Sequence, residues 1–205
     1  MPRRFRKAED YFQIRRAQQI SESHCGPAVI QMLLSNLGVE VTQEAVAEAG
    51  AATELIELHG MRVDQLARAV RLLAPDAQFW YKNRSRLEEL ITLVTDYRYP
   101  VGVEWQGLFE DEEEDEDEEG DYGHYSIVTH VDSDKNELVI VDPYKEFVDQ
   151  DHILTFGNFV RRWWDFNEVT HPKTGKTRLV KDDHMMFIAT PKDAIFPKEL
   201  GMRAA

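Results

Sequence analysis

With 205 residues, 42% of them hydrophobic and 10% aromatic, the chain is long enough to bury one domain-sized core and too apolar to be disordered. Its net charge of −14 is concentrated in one place: ten consecutive acids at 110–119, EDEEEDEDEE, carry ten of those charges, so the remaining body is only mildly acidic. Nucleic acid is thereby excluded as a partner, because phosphate binding needs a clustered basic footprint and the one basic cluster is the short N-terminal arm.

That arm, residues 1–12, leads into no apolar run of the kind a signal peptide needs. No 18-residue apolar span follows anywhere, so neither export nor a membrane partner is expected. The single cysteine cannot form an internal disulfide, and a lone thiol is best protected among reductants, which points to the cytoplasm.

From Cys25 onward, Val29, Met32, Leu33 and Leu37 recur at helical spacing up to Gly38, a natural stop, which predicts a buried helix that begins at or beside the thiol. A second short helix is predicted over 43–49 with Thr42 as N-cap. A third runs over 63–73 and ends before Pro75. A fourth fits SRLEELITLVTDY, opened by Ser85 with Glu88 at capping-box spacing. Beyond Pro100 the texture changes to β-branched and aromatic runs, VGVEW, HYSIVTHV and ELVIVD, the last two joined by the turn composition DSDKN. FGNFVRRWWDF is expected to form an amphipathic helix, HPKTGKT a turn between two strands, and MMFIAT the last strand. Helices first and an antiparallel sheet afterwards give an α+β class. The expected organisation is one domain over 1–205, with the basic arm at 1–12, an acidic loop insertion at 107–122 and a hairpin insertion at 167–183.

Three motifs carry no chemistry. Asp115, Asp117, Glu119 and Gly120 imitate the start of a calcium loop, but its twelfth position is Ser126, inside a predicted strand. TGKT at 174–177 ends like a phosphate loop, yet Thr170 stands where the first glycine belongs. Phe159, Trp163, Trp164 and Phe166 are explained by one helix face packed on the sheet rather than by a ligand platform. No metal or other cofactor is expected.

The thiol is different. Free amides and the positive dipole end at a helix N-terminus favour a thiolate, the nucleophilic form of Cys25, although a small buried hydrophobe is the alternative for a lone cysteine in this position. A nucleophilic thiolate needs an imidazole partner, and the imidazole needs an orienting acceptor. His124 opens one strand and Asp142 closes the next, so a hairpin turning at 133–136 brings them together. His130 shares the strand but lies toward the turn. Gln19, six residues before the thiol, can return to the helix start as an oxyanion donor beside the Cys25 amide, with Gln18 as its competitor.

Gln19, HCGPA, GHYSIVTHVD and LVIVDPY, in that order, resemble the papain-like cysteine peptidases of the bacteriocin-processing, double-glycine leader peptidase type and their stand-alone relatives. The resemblance spans about residues 13–190. It implies a papain-like fold in which an N-terminal helical half, with the nucleophile helix, packs on a C-terminal antiparallel sheet. It also implies Cys25 as nucleophile, His124 as general acid and base, Asp142 as orienter and Gln19 as oxyanion donor. Members often carry an acid just before the cysteine, where this chain has His24. The implied activity is that of a cysteine peptidase or related thiol amide hydrolase, or an acyl transferase, working through an acyl-enzyme on a peptide or protein. Gly26 is expected to let substrate backbone approach the thiol, and the acidic run makes a basic substrate the easier one to attract. The alternative is a non-catalytic papain-like module that recruits a basic partner through the acidic loop. Oligomeric state is not readable from the sequence.

Overall fold

The structure is a computed structural model of the chain and describes residues 13–107, 123–170, 174–194 and 198–205. The basic arm and nearly all of the acidic insertion therefore lie outside the described residues. The elements run in the order α1 (Cys25–Ser35), α2 (Gln43–Ala49), α3 (Ile56–His59), α4 (Val63–Leu73), β1 (Ala77–Lys82), α5 (Leu87–Thr95), β2 (Val101–Gln106), β3 (Gly123–Asp132) and β4 (Glu137–Val141). They continue with β5 (Asp151–Thr155), α6 (Phe156–Arg162), β6 (Trp164–Thr170), β7 (Thr177–Asp183), β8 (Met186–Pro191), a 3-10 turn at Lys198–Leu200 and β9 (Arg203–Ala204).

Seven strands form one sheet in the order β5-β4-β3-β2-β8-β1-β9, antiparallel at each pairing, and β6 and β7 form a separate two-stranded ribbon. The α+β class holds, but the helices are not confined to one side. Strand alternation sends Phe79, Tyr125, Ile127, Val141 and Phe187 into a core shared with α1, α2 and α4. It sends Val103, Trp105, Ile140, Met186 and Ile188 into a second core closed by α5 and α6. With both faces covered, the central strand β2 is buried at all six positions.

Several expectations are corrected. The sheet is not a property of the second half alone: AQFWYK forms β1, whose partners are β8 and β9, more than 100 residues later. The helix after Pro75 is capped one residue late. Arg86 is its N-cap and the Glu89 carboxylate accepts the Arg86 N–H (3.0 Å), while the Ser85 hydroxyl donates to the Lys82 carbonyl (3.2 Å). Glu89 is buried because Lys82 Nζ lies 2.7 Å away, an ion pair that ties the end of β1 to α5. The aromatic helix stops at Arg162: Trp163 and Phe159 are fully buried, whereas Trp164 and Phe166 belong to β6. α2 with its Thr42 cap (Oγ1 accepting from Ala45 N, 3.2 Å), α4, and the hairpin turn at 133–136 fall where the sequence places them.

Candidate active site

α1 opens at the thiol because its first turn suits the job. Pro27, which has no N–H to lose, stands in the turn where amides lack intrahelical partners, and Cys25 through Ile30 are all buried. Gly26 has a packing role within the fold. A Cβ there would lie 3.2 Å from Leu66 Cδ2 and 3.3 Å from Tyr125 Cδ2, so the missing side chain makes room for the protein's own packing.

The β3–β4 hairpin sets the second half of the site. Its register pairs Ile127 with Val141, which places Asp142 beside the start of β3. His124 Nε2 lies 2.9 Å from Asp142 Oδ1, and since a carboxylate only accepts, the proton sits on Nε2. The other ring nitrogen is left for the thiol, and Cys25 is within hydrogen-bonding reach of His124. His124 and Asp142 are almost inaccessible to solvent. Burial disfavours the imidazolium, but the adjacent Asp142 carboxylate, with Cys25, more than reverses this and raises the His124 pKa to about 10. Asp142 moves the other way: burial opposes its charge, yet the His124 ring, the Tyr144 amide and the Ser126 hydroxyl hold it below the usual carboxylate range.

Two of those partners were not anticipated. The Tyr144 amide donates to Asp142 Oδ1 (2.8 Å), an Asx turn made by Asp-Pro-Tyr. Ser126 Oγ donates to Asp142 Oδ2 (2.8 Å) and receives the Trp105 indole N–H (2.9 Å). Strand periodicity contained that signal, because Ser126 is two residues from His124 and shares its face.

Gln19 is buried, whereas Gln18 is exposed and contributes its carbonyl to Gln43 Nε2 (2.8 Å). The Gln19 backbone N–H reaches the Pro143 carbonyl (2.9 Å), tying the segment before the thiol to the residue after Asp142. Gln19 Nε2 donates one hydrogen to the Ser21 carbonyl (2.8 Å), and Oε1 is buried without a partner. His24 Nδ1 meets Ser21 Oγ (2.7 Å), which also contacts Glu57 on α3 (3.1 Å) and braces the turn that presents Cys25. His130 lies near the hairpin end, opposite Val139, past an irregularity in the pairing. Among the described residues no group of side chains is arranged to hold a metal ion, and no helix is long and apolar enough to cross a membrane.

Residues 11–171 match the model of a family described as Peptidase_C39 like. The chain belongs to that family. No curated protein matches it. Among solved structures, this Peptidase_C39-like chain is similar to the peptidase domain of Streptococcus ComA, a bi-functional ABC transporter involved in a quorum sensing pathway. The TM-score is 0.57 at 17% identity, over 87% of this chain and 99% of that one. It is also similar to a double glycine motif protease from an AMS/PCAT transporter in complex with the leader peptide, with a TM-score of 0.56 at 16% identity over 88% and 94% of the two chains. At such identities the likeness is one of fold: a papain-like cysteine peptidase fold of mixed helix and antiparallel sheet.

Proposed function

We propose that the protein is a cysteine peptidase that cleaves a peptide bond through Cys25, His124, Asp142 and Gln19. The observation that carries this is the continuous contact from a thiol at a helix N-terminus, through His124, to the Asp142 carboxylate. Cys25 Sγ attacks the scissile carbonyl as the thiolate, and the C=O electrons move onto oxygen. The Cys25 amide and the second Nε2 hydrogen of Gln19 are suited to receive that charge. Collapse of the intermediate breaks the C–N bond, and the His124 imidazolium gives its proton to the departing amine. Water, deprotonated by the now neutral His124, then hydrolyses the thioester and restores the thiol-imidazole pair. Asp142 remains ionised throughout and keeps Nε2 protonated, so that the nitrogen facing Cys25 exchanges the proton.

The substrate is a peptide segment of another protein. The run of acids at 110–119, a few residues before His124, favours basic segments through an attraction that weakens with salt.

Alkylation by iodoacetamide, followed by intact mass, tests the core of this assignment with one readable thiol. At about pH 6, where an ordinary thiol is almost wholly protonated, the wild type is expected to react at least about tenfold faster than His124→Ala. Equal rates would sink the peptidase assignment.

A further inference from the structure

On β2, next to the site, Glu104 is buried to 1% exposure in a position where a carboxylate has no evident reason to be. Its Oε1 receives the Tyr125 hydroxyl (2.6 Å) and Asn167 Nδ2 (3.0 Å), and its Oε2 is buried without an N–H or O–H partner. The neighbouring group is another acid: the Asp165 carboxyl of β6, also buried, acts on Glu104 at close range. Two carboxyl groups held close together away from water do not both ionise readily, and a proton carried by one of them relieves the repulsion. Asp165 is itself fixed, Oδ1 receiving the Phe166 amide (2.7 Å) and, more weakly, Gln106 Nε2 (3.4 Å).

We propose that Glu104 and Asp165 hold one proton between them and act together as positioning residues for the Cys25–His124 pair. The contacts run to both members of that pair. The Tyr125 ring, anchored by Glu104, is the surface against which Gly26 packs, one residue from the thiol. The Asp165 carboxyl fills the space over Gly123, one residue from His124, so that a Cβ at Gly123 would collide with it. Removing the shared proton puts two like charges in contact in a buried place, and the strain falls on Tyr125 and Gly123 together.

The surroundings favour retention of the proton. Burial, the largest influence, and the Asp182 charge of β7 push Glu104 upward against the hydrogen bonds from Asn167 and Tyr125 and the effect of Asp165, and its pKa rises to about 7. Tyr125 is held well above its ordinary value by burial and by Glu104, with Asp165 and Cys25 adding to the effect, so it remains a donor. Asp182 is raised as well, by burial and by Asp183 and the α4 residue Asp64. Asn167, which donates to Glu104, and Asp182 line a cleft of about 380 Å³ between α4 and the β6–β7 ribbon, with Arg68 and Tyr81 on its other walls.

Glu104→Gln tests this directly, because glutamine stays neutral, still accepts the Tyr125 hydroxyl and donates to Asp165. In wild type at about pH 6 the infrared spectrum should hold a buried protonated-carboxyl band that Glu104→Gln lacks, whereas a spectrum without that band in the wild type overturns the shared proton. Between about pH 6 and about pH 8, the ratio of wild-type to Glu104→Gln alkylation rates at Cys25 should fall on the order of fivefold, the factor of one ordinary hydrogen bond. A constant ratio overturns the positioning role, and a fall supports it. Asp165→Asn, which removes the nearer like charge from Glu104 and leaves only that of Asp182, should flatten the profile toward that of the glutamine variant and serves if that variant does not fold. The effect on catalysis rests on the peptidase assignment; should the wild-type thiol react no faster than in His124→Ala, that assignment fails while the band still decides the shared proton.

Discussion

Two buried polar clusters flank the start of β3, and they solve the same problem in opposite ways. His124, Asp142 and Ser126 join unlike charges: both Asp142 oxygens have donors, and each of the two ionisable partners stabilises the charged form of the other. Glu104, Asp165 and Asp182 collect like charges, and their stability depends on a proton and on neutral donors. Burial has the same cost in both places; the sign of the neighbour decides whether a group keeps its charge or loses it.

The most severe way to break the comparison is Asp142→Ala, which leaves the His124 ring buried without its counter-charge. It is expected to destabilise the fold by about 3–5 kcal/mol in urea unfolding and to remove the reactivity advantage of Cys25. Gly123→Ala attacks the other cluster from its edge. Asp165 is short and hydrogen-bonded, so the new methyl group cannot be accommodated freely, and a loss of about 1–3 kcal/mol is expected by the same measurement.

Stability against pH sharpens the contrast without any mutation. Asp142, lowered in the fold, contributes stability above its ordinary value of 3.8 that is lost as pH falls through the lowered value. Glu104, raised from 4.5 to about 7, contributes stability that is complete below 4.5 and lost as pH climbs through 7. His124, raised from 6.5 to about 10, follows with a loss between those two values. Thermal midpoints should therefore fall in two stages as pH rises, first from 4.5 to about 7 and then from 6.5 to about 10, and a profile flat from pH 4.5 to 10 would contradict both assignments. The smallest effect belongs to Glu57→Gln, whose carboxylate is largely exposed where it meets Ser21 and His24. A change under about 0.5 kcal/mol is expected, and a larger one would mean that the His24 turn depends on this contact.

The thiol-imidazole-carboxylate arrangement was legible in the sequence because each part obeys a local rule: a helix start at Cys25, a hairpin with a recognisable turn, and alternation along a strand. Glu104 was not. In VGVEWQ a glutamate suggests a solvent-facing position, and only the coverage of β2 on both faces, a property of the assembled layers, buries it. β1 was missed for a related reason, since AQFWYK is half-buried at most positions and acquires its pairing from residues at the far end of the chain. In FGNFVRRWWDF the helical period is genuine as far as Arg162, but the indole N–H of Trp163 donates to the Met185 carbonyl (2.8 Å), and the chain leaves the helix there for the β6–β7 ribbon.

The position of β8 between β2 and β1 has a consequence for timing. β1 can complete neither edge until residues 186–191 and 203–204 arrive, so the layer that carries Phe79 and Phe187 beneath the α1 core closes last. During synthesis the thiol at residue 25 emerges long before the sheet that holds its imidazole can be finished. Such long-range closure makes for slow, late folding. The same stitching that joins the two halves leaves Cys25 on the nascent chain without its finished sheet until residues 186–204 have been made.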